Sequence, residues 1–150
     1  MKCYICDYSN KGDAFRNYLA EKLSADFKVR GYGYGDTLLL HPIVHLMETP
    51  IIFLWNTASF LSKTISLRRD KPCEILDNYY FVNWYTGVWP LTLEHRLEVA
   101  KKDFNGSMLN KAGQFDEDFF KEHFYFIDVL NSDDSELQRL VAALRKNFSM

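Results

Sequence analysis

Apolar positions along the chain switch between unbroken runs and a spacing of three and four, the pattern of strands alternating with helices. Cys3 to Tyr8 reads as a short buried strand ending in polar Ser9-Asn10-Lys11-Gly12-Asp13. Phe15, Tyr18, Leu19 and Leu23, extending toward Phe27, recur at helical spacing, and Asn10 or Asp13 can cap that helix. Lys28-Val29-Arg30 is extended and runs into Gly31-Tyr32-Gly33-Tyr34-Gly35-Asp36. Leu38 to Met47 predicts a short apolar helix bent near Pro42. Pro50 opens Ile51-Ile52-Phe53-Leu54-Trp55, a continuous apolar run that suits a central strand covered on both faces.

In the second half, Thr57 to Leu67 predicts a helix broken by Arg68-Arg69-Asp70-Lys71. A further helix start follows at Pro72, with Ile75, Leu76, Tyr79 and Tyr80 as its buried stripe. A strand across Tyr79-Tyr80-Phe81-Val82 is the alternative, because aromatic and β-branched runs favour strands. Trp84 to Pro90 reads as a turn-rich aromatic stretch. Leu93, Leu97, Ala100 and Phe104 mark a helix closed by Asn105-Gly106. Phe115 to His123 predicts a short acidic helix and Phe124 to Val129 a last strand. Leu137, Leu140, Val141, Leu144 and Phe148 share one face of a final helix, with Asp133 and Glu136 in capping-box order.

This alternation points to a single α/β domain over residues 1–150, a three-layer sandwich around a mainly parallel central sheet. Cys3–Tyr8 and Ile51–Trp55 are expected as parallel neighbours or near-neighbours. Ligands of such sheets sit at the carboxyl ends of the strands, near the switch in strand order. The loops after Tyr8, Val29 and Trp55 are therefore where chemistry is expected.

Composition narrows the partners. The 150 residues carry a formal net charge of -2, so no global basic field recruits nucleic acid or an anionic membrane. The longest apolar stretch, around Pro50 to Trp55, is far short of a membrane helix, and the early acid Asp7 interrupts any signal-peptide core, so a cytoplasmic protein is expected. Aromatics reach 16 %, enough for a bulky core and for exposed rings that would join copies into a homo-oligomer. Cys3 and Cys6 form a C-x-x-C, but three residues apart on a strand they face opposite sides and cannot pair. His41 and His45 lie four apart, without the Glu of an H-E-x-x-H and with Pro42 between them, so no metal site is expected.

The turn Tyr8-Ser9-Asn10-Lys11-Gly12-Asp13 leaves a strand and enters a helix, where backbone N–H groups can receive a phosphate or ribose. The glycines 31, 33 and 35 do not match G-x-G-x-x-G, but Tyr32 and Tyr34 can stack on a base. The stretch Tyr4-Ile5-Cys6-Asp7-Tyr8-Ser9-Asn10-Lys11-Gly12-Asp13-Ala14-Phe15 resembles the opening of a Toll/interleukin-1 receptor (TIR) domain. Lys28 to Asp36 is similar to that family's second strand and following loop, and Asn56-Thr57-Ala58-Ser59-Phe60-Leu61 to the motif after its central strand. The likeness covers roughly the first half of the chain. Catalytic members of the family carry a glutamate soon afterwards, but the usual spacing lands on Leu67-Arg68, and the first acid at a helix start is Glu74.

The resemblance implies a flavodoxin-like or TIR-like sheet that binds a nucleotide and cleaves the nicotinamide–ribose bond of NAD or a related nucleotide. Glu74 would be the catalytic carboxylate, with Tyr8, Ser9, Asp13, Tyr32, Tyr34 and Trp55 holding the nucleotide. NAD enters as substrate, not as cofactor. A non-enzymatic assembly module of the same fold is the alternative, supported by Arg68 at the expected acid position. A nucleoside-processing transferase, also using one glutamate, is the third.

Overall fold

A computed structural model describes residues 1–7, 9, 14–32, 49–56, 78–85, 98, 101–102, 113–114, 116–129 and 135–148. Five strands form one sheet: β1 (Lys2–Asp7), β2 (Lys28–Tyr32), β3 (Ile51–Trp55), β4 (Tyr79–Tyr85) and β5 (Phe124–Asp128). Their order is β2-β1-β3-β4-β5, and every neighbouring pair is parallel. Helices α1 (Ala14–Leu23), α2 (Glu117–His123) and α3 (Ser135–Asn147) accompany them. The result is an α/β sandwich of the flavodoxin-like strand order. β1 and β3 are parallel neighbours, with Cys6 opposite Phe53 and Asp7 opposite Leu54.

Right-handed crossovers put helices on opposite faces when the chain moves in opposite directions along the sheet. One face carries Cys3, Ile5, Ile52, Leu54, Tyr80, Val82 and Tyr125, packed with Phe15, Leu19 and Leu23 of α1 and Leu137, Leu140 and Leu144 of α3. Arg145 joins the two helical segments by donating to Asp26 Oδ2 from Nε at 3.0 Å and Nη2 at 2.7 Å. The other face is aromatic. Phe53 stacks on Phe81 (5.4 Å), Phe81 on Phe124 (4.6 Å), and Phe124 on Phe120 of α2 (4.9 Å). Such pairs add about 0.5–1.5 kcal/mol each beyond their buried area. Among the described side chains the aromatics thus lie largely in the interior, and Tyr18 is the one exposed aromatic.

The helix expected to bury Tyr79 and Tyr80 is not found there. Both belong to β4, which also absorbs Trp84 and Tyr85 from the expected turn. Register explains it: Tyr79 lies opposite Ile51 and Tyr80 opposite Ile52, so both aromatics are buried on alternate faces, as a strand allows and a single helical stripe does not. Phe27 is buried as expected but lies beyond α1, in a turn closed by its N–H donating to Leu23 O at 3.0 Å.

Asp133, the other half of the expected capping box, lies outside the described residues, and Glu136 is seen in a different contact. Its Oε2 accepts the N–H of Phe126 at 3.2 Å, while Arg139 Nη2 donates to Phe124 O at 2.8 Å. Two side chains of α3 thus bind the outer edge of β5 as a neighbouring strand would. The Arg139 guanidinium also lies 4.1 Å from the centre of the Tyr125 ring. Cys3 and Cys6 are buried free thiols, Cys3 in the core under α1 and α3. No helix among the described residues is long and apolar enough to cross a membrane.

Candidate functional site

The order β2-β1-β3 means that the chain leaves β1 toward one side and continues from β3 toward the other. In open parallel sheets such a reversal of strand order is where a ligand crevice is found, above the carboxyl ends of the two strands, here β1 and β3. Asp7 ends β1 and Trp55 ends β3. Ser9 follows two residues after Asp7, and all three are nearly closed to solvent, with Asp7 and Trp55 at 2 % and Ser9 at 3 % exposure.

The turn is held by its own carboxylate. Asp7 Oδ1 accepts the Ser9 N–H at 2.9 Å and also the Ser9 hydroxyl. Asp7 shares a face with Leu54, Val82 and Tyr125, the row nearest the carboxyl edge below Trp84. A buried carboxylate that accepts two donors from one residue fixes where the chain leaves the strand. Asp7 was not singled out in the sequence as a site residue, and its contacts give it a role in the turn.

Trp55 is less open than a base-stacking wall requires. Its ring meets Phe81 and Phe124 edge-on, with centres 6.2 and 6.3 Å apart. What it presents is the indole N–H. Trp55 Nε1 has no hydrogen-bond partner, nor has Asn83 Oδ1, which sits opposite it in register on β4. Trp84 Nε1 on the opposite face is likewise unpartnered, although its ring stacks on Phe15 at 5.5 Å. A buried polar atom left unpaired costs about 1–3 kcal/mol, so three such atoms near one edge of the sheet need a reason. Asn83 was not singled out in the sequence. Its signal is an amide inside the run Tyr79–Tyr85, where every neighbour is aromatic or β-branched.

Of the residues expected to bind or cleave a nucleotide, Ser9 and Trp55 both lie at this edge, one just beyond β1 and one at the end of β3. Tyr8, Asp13, Tyr34 and Glu74 lie outside the described residues, as do His41, His45 and Arg68. Tyr32 ends β2, next to β1 at the same edge.

A depression lies at the amino edge of the sheet. A cleft of about 600 Å³ is lined by Asn78, Asp116, Phe119, Glu122, His123 and Asn147 among others. His123 is buried, stacks on Phe119 at 3.9 Å, and bonds Tyr79 O through Nδ1 at 2.7 Å; a carbonyl only accepts, so Nδ1 holds the proton. Asn78 Nδ2 donates to Thr49 O at 2.7 Å. These bonds tie β3, β4 and α2 together beneath the sheet. Among the described residues no group of three His, Cys, Asp or Glu is placed to hold a metal ion.

Comparison with protein-family models, with curated proteins and with solved structures gives no match for this chain.

Proposed function

We propose that the chain is a nucleotide-binding domain working at the carboxyl edge of its sheet, and that it cleaves the nicotinamide–ribose bond of NAD or a related nucleotide. One observation carries the reading: the parallel β1–β3 pair puts the Asp7-anchored Ser9 and the Trp55 indole at the point where strand order reverses. The resemblance of residues 4–15 and 56–61 to TIR domains supports the same substrate class. In this reading the Ser9 turn receives the phosphate or ribose. A carboxylate beside the ribose stabilises the cationic character that develops at its anomeric carbon as nicotinamide leaves. Glu74 is the assigned carboxylate, by sequence position alone.

The test is nicotinamide release from NAD by the purified chain, with Glu74→Gln and Arg68→Ala as variants. Release by wild type and by Arg68→Ala, with a loss of about 10²–10³ in rate for Glu74→Gln, supports the reading. Release that survives Glu74→Gln keeps the enzyme and moves its carboxylate.

The burial of Trp55 favours a second reading, a non-enzymatic assembly module, because a ring packed edge-on in the core offers no stacking face. A wild type that releases no nicotinamide yet sediments as an oligomer selects it.

A further inference from the structure

The aromatic face of the sheet is built in rows set by strand register. Phe53, Phe81 and Phe124 form one row, and Trp55, Asn83 and Phe126 form the next, closer to the carboxyl edge. Across β3, β4 and β5 every side chain in these two rows is aromatic except Asn83; on β1 the first row continues with Cys6. Trp55 Nε1 is a donor and nothing else; Asn83 Oδ1 is an acceptor. Both residues are 2 % exposed, both atoms are without a partner, and they stand on adjacent strands at one level. A donor and an acceptor side by side complement one kind of ligand edge, an acceptor beside a donor on a planar group.

We propose that Trp55 and Asn83 form a two-point reader for a planar heterocycle bearing an acceptor–donor edge, as found in the carboxamide of nicotinamide and in the ring-nitrogen and amino edge of adenine. The indole N–H donates to the ligand's carbonyl or ring nitrogen, and the Asn83 oxygen accepts from its amino group. Phe126 in the same row and Phe81 in the row below supply apolar contact for the ring. The inference rests on the nucleotide reading and specifies its base. It also gives a reason for polar atoms kept unpartnered in an aromatic layer. Because both atoms are closed off from solvent, the ligand enters only when the layer opens, and binding is slow relative to diffusion.

The experiment follows the indole N–H signals of the ¹⁵N-labelled full chain, assigned by replacing Trp55, Trp84 and Trp89 with Phe in turn. The probes are nicotinamide and adenine, with nicotinic acid and purine as partners that lack the amino donor. The expected result is a saturable downfield shift of the Trp55 signal by nicotinamide, by adenine or by both, at affinity about tenfold or more above the matching partner. Whichever probe acts names the source of the edge. Asn83→Leu is expected to erase that preference, and wild-type titration decides the matter should the variant not fold. The proposal is overturned if neither probe moves the Trp55 signal at millimolar concentration, or if purine and nicotinic acid act equally well. It is also overturned if Asn83→Leu moves the Trp55 signal upfield in the free protein, which would show the two side chains bonded to each other. Failure here with NAD still shifting the Ser9 amide leaves the nucleotide reading standing. A Trp55 response to nicotinamide with no Ser9 response to NAD does the reverse.

Discussion

The carboxylate of Asp7 accepts both the backbone N–H and the hydroxyl of Ser9, two residues further on, and both residues are buried. This local pair sets the exit of β1 at the point where strand order reverses. Removing the carboxylate leaves two buried donors of Ser9 without their acceptor. Asp7→Ala is therefore expected to lower stability by about 1–3 kcal/mol, read as a fall in the urea midpoint at unchanged slope. Asp7→Asn retains an acceptor oxygen and is expected to lose less. Equal losses would show that the charge, not the acceptor, holds the turn.

The outer edge of β5 is occupied by Glu136 and Arg139, which bond Phe126 N and Phe124 O. Glu136→Ala frees the Phe126 N–H and leaves an edge open to a second strand. The ion pair with Arg139 is partly exposed, so the direct stability loss is expected to stay at or below about 1 kcal/mol. The larger effect is on association. Sedimentation at rising concentration should show Glu136→Ala forming larger species than wild type; identical profiles would mean that the edge is guarded by something else.

Burial pushes the Cys3 thiol from 9.0 up to about 12, and burial raises the Tyr125 phenol from 10.0 to about 12, against the lowering effect of Arg139. Both groups keep their protons in the folded protein at pH values where the unfolded chain has lost them. Unfolding then releases protons, so stability is unaffected below about pH 9 and falls progressively from there toward pH 12. Urea midpoints measured between pH 8 and 11 should decline from about pH 9, and Cys3→Ala should remove the earlier part of the decline while lowering the plateau through its cavity. A flat profile would contradict the burial of these groups.

Much of the fold could be read from the sequence because long apolar runs and helical spacing were unmixed. The run Ile51–Trp55 suited a strand buried on both faces, and it is one. The Tyr79–Tyr85 segment was ambiguous because aromatic pairs satisfy a helical stripe as readily as alternate strand faces; its cross-strand partners decided it. The contact of Glu136 with the edge of β5 could not be read from the sequence, because a carboxylate in a first helical turn fits a cap and only the position of β5 brings the Phe126 N–H to it. The site was half legible. Ser9 and Trp55 flanked strand ends and lie at the expected edge, whereas nothing local to Asn83 shows that it stands opposite Trp55, a position set by register between β3 and β4.

The central claim is that nucleotide is bound at the carboxyl edge and not in the amino-edge cleft beside His123. Hydrogen exchange of the full chain with and without NAD separates the two, because Ser9 and Trp55 mark one edge while His123 and Asn147 mark the other. Slower exchange on adding NAD is expected in the peptides that contain Ser9 and Trp55, with those that contain His123 and Asn147 unchanged. Protection confined to the His123 and Asn147 peptides, or none anywhere at millimolar NAD, would contradict the account.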